Sequence, residues 1–409
     1  MLRVLVNGDP IWVASGYSKV VKDICFGLKE SGHRVAHVPI GRSLKGGKFN
    51  FNNILCLPSG LDVWNDVISV DHYNDWQADL LITVKDVWLF NYFNKYALNW
   101  CPIVAVEHSP VSIEITARLN TCFRTIAVTR FGQKELRSQD VENVEYIPHN
   151  VPTDIFRPLN KTSECRKLWQ IDENAFVVGI VAANRVRKMI PRMLRGYKRF
   201  LELNPDVKSH LFLWTNVKPR QYIDDMTIGV SDVGQNLLPE LMDLGLGSAA
   251  IWPDEKLVTM GIQDWAGDNY IGGWDMVKLY NTFNVLFLCS GGEGFGLPLI
   301  EAQSCGVPVI TTDYAGGAEL CGSGYTVKAS DYVLLNTPGS RYALADIDGM
   351  ANALTKIYNA DRAKLAKKAR AFAERYDRTY VWETYWAPAL EKWESELKPL
   401  ITKGGMSTW

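Results

Sequence analysis

Two carboxylates bracket the most chemically suggestive stretch of this chain. Glu293 and Glu301, with seven residues between them, lie in Ser290-Gly-Gly-Glu-Gly-Phe-Gly-Leu-Pro298-Leu-Ile-Glu-Ala-Gln-Ser-Cys-Gly306. An apolar run, residues 285–289, precedes it and reads as a buried strand. Pro298 suits the first position of a helix, and Gly306 with Pro308 suits its end. A glycine loop that opens a helix after a parallel strand presents free N–H groups and a positive dipole end, a receptor for a diphosphate. A carboxylate beside a phosphate does not help to bind it, so Glu293 and Glu301 must accept hydrogen bonds from hydroxyls. A nucleotide sugar carries both a diphosphate and hydroxyls on ribose and hexose. Glycines alone would equally make a tight turn, and Glu301 alone would simply favour a helix N-terminus. It is their combination with Pro298, Gly306 and the preceding strand that carries the reading.

Other candidate residues stand at the ends of apolar runs. His108 follows the run 102–106 in Val106-Glu-His-Ser-Pro110, where a polar strand-end residue is the plain alternative. A basic loop after residues 176–182 reads Ala183-Asn184-Arg185-Val-Arg187-Lys188. Of its cations, Arg187 is expected to face solvent. Gly16 closes a loop that also holds Gly8, Pro10 and Ser15, while Thr129 and Arg130 follow the run 125–128. His149 lies in a proline-rich connection and is expected to orient it.

These residues need a scaffold, and the pattern supplies one. Residues 3–7 read as a buried strand; after Gly16, Val20, Ile24 and Leu28 recur at helical steps, and Gly32 ends that helix. Further strands are expected at 34–39, 80–84, 102–106, 125–128 and 144–147. A second series, 176–182, 210–215, 285–289, 307–311 and 324–327, follows, with a helix at 191–203. Strand–helix–strand alternation means parallel sheets with helices on both faces. Residues 147–161 carry Pro148, Pro152 and Pro158 and read as an interdomain connection. The fold class expected is α/β, with two Rossmann-like domains and a cleft between them. The tail from Arg378 brings Trp382, Tyr385, Trp386, Leu390 and Trp393 at three- and four-residue steps, so it should pack on something.

With 409 residues the chain suits two domains, and 47% hydrophobic with 22% charged residues is ordinary globular composition. A formal net charge of −1 gives no whole-chain reason to expect a nucleic-acid partner. No apolar run approaches the roughly 20 residues of a membrane span. Eight cysteines without a C-x-x-C pair read as reduced thiols, and the expected location is cytoplasmic. No convincing Asp-x-Asp metal motif stands at a strand end, and Asp224-Asp225 falls in an unreadable stretch, so no metal is expected.

The Glu293-x7-Glu301 motif, with Gly-Phe-Gly-Leu-Pro-Leu inside it and Gly306-Val-Pro-Val after it, resembles glycosyltransferase family 4, retaining enzymes of the GT-B fold. Ile147-Pro-His-Asn150-Val-Pro-Thr-Asp-Ile-Phe-Arg-Pro158 is similar to the family's interdomain segment, and Trp382-Glu383 to the start of its terminal helix. The resemblance implies an acceptor-side domain over 1–160, a donor-side domain over 161–377, and a helical segment 378–409 that crosses back to the first, with the domains facing each other across a deep cleft. It implies that Glu301 binds the ribose and Glu293 the donor sugar. The amides of Gly294, Phe295, Gly296 and Leu297 lie near sugar and diphosphate, and Gly16 borders the phosphates. It makes His108 the histidine facing the donor sugar, and Lys188 a diphosphate ligand beside Asn184 and Arg185. Thr129 and Arg130 would face the acceptor. One departure stands out: Ala183 occupies the place where the family has an arginine, so either Arg185 substitutes or the site is weakened.

The function implied is transfer of a hexose from a nucleotide-diphosphate sugar, UDP- or GDP-linked, with retention of configuration and without metal or other cofactor. The acceptor stands open among a glycan, a lipid-linked sugar, a small molecule and a protein. A nucleotide-sugar epimerase on the same scaffold and a catalytically silent sugar-nucleotide-binding subunit are the rivals.

Overall fold

The computed structural model describes residues 1–13, 15–41, 46–160, 162–167, 169–218, 234–253, 276–335 and 339–403. Its strands are β1 (Arg3–Gly8), β2 (Arg34–Pro39), β3 (Phe49–Phe51), β4 (Ile54–Cys56), β5 (Leu80–Val84), β6 (Trp100–Val104), β7 (Thr125–Ala127) and β8 (Val144–Tyr146). They continue with β9 (Phe176–Val181), β10 (Ser209–Trp214), β11 (Ala250–Ile251), β12 (Val285–Leu288), β13 (Val309–Thr312), β14 (Gly324–Val327), β15 (Ala329–Leu335) and β16 (Ser340–Ala345). The chain divides into two compact units. One comprises Met1–Ala105, Ile113–Asn150 and Arg378–Trp409, and the other Val106–Ser112 and Val151–Asp377.

The first unit holds an eight-stranded sheet in the order β3-β4-β2-β1-β5-β6-β7-β8, parallel except for β3 against β4. Strands buried on both faces must be apolar throughout, and Leu80–Val84 is buried at every position. The helix Gly16–Glu30 starts at Ser15, whose side chain accepts from the Ser18 N–H, and buries Val20, Val21, Ile24, Cys25 and Leu28. The C-terminal segment completes this unit. The Trp382 ring lies where a Cβ on Gly27 would sit, 2.2 Å from its nearest atom, and Trp382 stacks on Trp386 at 5.8 Å. Trp393 is fully buried. Gly27→Ala should therefore lower the unfolding free energy of this unit by about 1–3 kcal/mol, as overpacking does. Equal denaturation midpoints for variant and parent would contradict that contact.

The second unit holds a six-stranded parallel sheet in the order β11-β10-β9-β12-β13-β14, beside an antiparallel hairpin of β15 and β16. The helix Ile190–Leu203 buries Ile190, Met193, Leu194, Tyr197 and Phe200 and directs Arg195 and Arg199 to Glu240 and Asp348, the solvated face its charges imply.

Most expected strands lie within two residues of those observed, including the sixth, which runs Trp100–Val104 rather than 102–106. The short β3 and β4 and the β15–β16 hairpin were not expected. Parts of the unreadable stretch, 219–233 and 254–275, lie outside the described residues, and Asp224-Asp225 with them. All eight cysteines are free thiols, and six are buried. No helix among the described residues is long and apolar enough to cross a membrane.

Candidate active site

Strand β12 delivers the chain into the glycine loop, and the helix that follows runs Leu297–Ser304. Gly296 precedes it at φ +93°, a left-handed conformation that favours glycine, so no side chain caps the helix. Pro298 is its second residue. Glu301 thus lies one turn into the helix.

Glu293 is the electrostatic centre of the loop. It is 5% exposed, and its Oε1 accepts from Lys188 Nζ at 2.5 Å and from Ser290 Oγ at 2.6 Å. Burial alone would raise its pKa, but the charges of Lys188 and Arg187, with the bonds from Lys188 and Ser290, outweigh this and hold it below its ordinary value. Lys188 comes from the tight turn Val186–Lys188 ahead of the helix Ile190–Leu203. That turn is tied to the glycine loop by Gly291 N–H donating to Arg187 O at 2.8 Å.

Arg187 does not face solvent. Its guanidinium pairs with Glu107 at 3.0 Å, lies 3.9 Å from Glu293, and donates to Gly292 O at 3.3 Å. Periodicity could not reveal this, because the partner carboxylate is 80 residues away in sequence. Two cations, Arg187 and Lys188, thus meet two anions, Glu107 and Glu293. Glu107 went unrecognised in the sequence. Its backbone passes so near the loop that a Cβ on Gly292 would lie 2.1 Å from Glu107 O.

His108 belongs to the same unit, in the segment Val106–Ser112. It is 3% exposed, and burial pulls its pKa down to about 4, so the ring is neutral near pH 7. The Ser112 N–H donates to Nε2 at 3.2 Å, which puts the ring proton on Nδ1. That buried Nδ1–H has no partner among the described residues. A buried donor without an acceptor is costly, and it is the feature a ligand oxygen would relieve.

Glu301 is buried and accepts from the hydroxyl of Tyr280, 21 residues earlier, at 2.6 Å, an orienting partner. Phe295 is buried with its ring edge-on to Tyr376, so its side chain anchors the loop. Asn184 is committed locally: Nδ2 donates to Asn216 O at 2.8 Å and Gln235 O at 2.6 Å, and Oδ1 accepts from Gln235 N. Arg185 opens the turn that carries Lys188, and Ala183 is exposed. Gly294 is buried and Leu297 is the first helical residue.

Gly16, Thr129, Arg130 and His149 lie in the first unit. Gly16 is the first residue of its helix. Thr129 caps the helix Arg130–Ser138 through Gly132 N–H, and Arg130 stacks over Tyr146 at 3.8 Å. Burial pulls His149 down to about 3.

Residues 269–372, which contain the two-glutamate motif, match the family described as glycosyl transferases group 1. A D-inositol 3-phosphate glycosyltransferase of Stackebrandtia nassauensis is 23% identical over 59% of this chain and 47% of its own length. One from Saccharomonospora viridis is 32% identical over 26% of this chain and 22% of its own. The chain thus spans less than half the length of these curated relatives. Among solved structures, the sucrose-phosphate synthase of Thermosynechococcus elongatus superposes with a TM-score of 0.71 at 16% identity, covering 98% of this chain and 99% of its own. The Anabaena protein HepE in complex with UDP-glucose gives 0.68 at 16% identity, covering 96% and 100%. The parallel sheets, the glycine loop and these likenesses converge: residues 269–372 are similar to the group 1 glycosyl transferases, and the chain has the GT-B fold.

Proposed function

We propose that this protein transfers a hexose from a UDP- or GDP-linked donor to an acceptor, with retention of configuration and without a metal. The observation that carries this reading is the ionised Glu293 held by Lys188 and Arg187 in a glycine loop at a helix start. A neutral cluster of two cations and two anions can admit a diphosphate by letting Lys188 and Arg187 turn part of their charge toward it. Arg187 supplies the second cation that Ala183 lacks, so the departure at Ala183 does not leave the leaving group unassisted. Glu293 then accepts from sugar hydroxyls, Glu301 serves the ribose, and the loop amides of Gly294, Phe295, Gly296 and Leu297 face sugar and diphosphate.

The neutral His108 donates its Nδ1–H to an oxygen of the donor sugar. It is a hydrogen-bond donor in this scheme, not a base. As the glycosidic bond breaks, negative charge grows on the diphosphate, where preorganised cations and amide dipoles stabilise it most. Attack from the same face, through a short-lived oxocarbenium-like ion pair, gives retention.

Incubating the protein with nucleotide sugars, with and without candidate acceptors, tests the reading. Transfer supports it. Conversion of donor to its epimer without acceptor points to the epimerase, and binding without turnover to the silent subunit. A nucleoside diphosphate at ~100 times its dissociation constant should add about 2.7 kcal/mol of stability, visible as a thermal shift. EDTA should leave turnover within about twofold, because protein cations take the metal's electrostatic role. A larger loss, restored by manganese or magnesium, would reject metal independence.

A further inference from the structure

The hairpin of β15 and β16 pairs with neither large sheet. A lone two-stranded hairpin is marginal in water, so this one must be held by what it packs on. One strand is open to solvent, with Tyr332 47% and Leu334 68% exposed. The other buries Ser340, Tyr342, Ala343 and Ala345. Ala343 N–H donates to Gly291 O at 2.8 Å, which fixes this strand to the glycine loop. Tyr342 packs its ring on His108, with centroids 6.5 Å apart, and its hydroxyl lies 3.4 Å from Glu107 Oε2. Tyr314 completes the clamp. Its hydroxyl donates to Arg341 O at 2.8 Å and accepts from Ser109 N–H at 2.9 Å, and its ring meets Tyr332.

We propose that this hairpin is a positioning element for the sugar end of the donor site, acting through Tyr342 and Tyr314 on the segment Val106–Ser112 that carries His108. The proposal rests on the donor-site reading above. Neither tyrosine touches the reacting atoms in this scheme. His108 has a bond from the Ser112 amide on one ring nitrogen and none on the other, so its ring face depends on the Tyr342 ring for orientation. Glu107, which holds Arg187, leans on the same tyrosine. One aromatic residue therefore fixes a hydrogen-bond donor for the sugar, whereas Arg187 keeps its bond to Gly292 O without it.

The test compares Tyr342→Leu, Tyr342→Phe and Tyr314→Phe in the full chain. It measures nucleotide-sugar turnover, the dissociation constant for free nucleoside diphosphate, and hydrogen exchange of residues 106–112. Tyr342→Leu should lower kcat by at least about tenfold, with diphosphate affinity within about twofold and faster exchange in 106–112. Tyr342→Phe, which keeps the ring, should restore kcat to within about threefold of the parent, and Tyr314→Phe should speed exchange at Ser109. Parent-like exchange in 106–112 in both Tyr342→Leu and Tyr314→Phe overturns the proposal. So does a loss of kcat matched by an equal loss of diphosphate affinity. If the parent itself binds no nucleoside diphosphate and turns over no nucleotide sugar, the donor-site reading falls. The exchange measurement still decides whether the hairpin holds the segment.

Discussion

Glu293→Gln should cut turnover of the nucleotide sugar by about a hundredfold while free nucleoside diphosphate binds as tightly as before, or more tightly. The opposite signs follow from the cluster. In the parent, the Glu293 carboxylate is paired with Lys188 and lies 3.9 Å from Arg187, and under the proposed function it would compete with an incoming diphosphate for both cations. An amide keeps an acceptor oxygen for the Ser290 and Lys188 contacts but gives up its charge, so both cations become freer for the ligand. For the donor sugar the exchange is a loss, because hydrogen bonds to a charged acceptor are worth about 1.5–3 kcal/mol and weaken when the acceptor is neutral. Isothermal titration with the diphosphate and steady-state rates with the sugar nucleotide give the two numbers. A variant that loses diphosphate affinity and keeps its turnover would move Glu293 from the sugar to a purely structural role.

Acid should destabilise both units well before ordinary carboxylates are protonated. Burial holds His37 and His108 down to about 4 and His149 to about 3, against an ordinary value of 6.5. Below pH 6.5 the unfolded chain takes up these protons and the folded chain does not. Stability therefore falls with pH until the folded values near 4 and 3 are passed. A fall of this size corresponds to about 3 kcal/mol each for His37 and His108 at most. His37 and His149 act on the first unit and His108 on the second. Glu293 adds a loss at lower pH: its depressed pKa stabilises the fold above the ordinary carboxylate range, and that contribution disappears as pH falls through the folded value. Melting temperatures measured from pH 7.5 to 4 should drop steeply. A flat profile between 6.5 and 4 would mean that these rings are not held neutral.

Burial on both faces made the parallel strands readable, since 80–84 and 176–181 are uninterrupted apolar runs. Edge and hairpin strands obey no such rule. Phe49–Phe51 and Ala329–Leu335 are short or half exposed, so their patterns look like loops. In the site, the glycine loop and Lys188 were legible because their chemistry is local. Glu107, Tyr280, Tyr314 and Tyr342 were not, because each acts through a partner distant in sequence. Arg187 shows the difference most clearly. Its neighbours in the chain suggest a solvated cation, and only the approach of residues 106–112 turns it into half of a partly exposed ion pair.

The aromatic residues Trp382, Trp386 and Trp393 have a consequence for biosynthesis. The Gly27 slot and the surface around Trp393 belong to a unit whose sheet is encoded before residue 150, yet the rings that fill them are translated only after the whole second unit. During elongation the first unit must wait, with this apolar surface uncovered, while the second is made. Nascent chains stalled before Trp382 should therefore engage chaperones and resist protease poorly in their N-terminal third, and become resistant once Trp393 has left the ribosome.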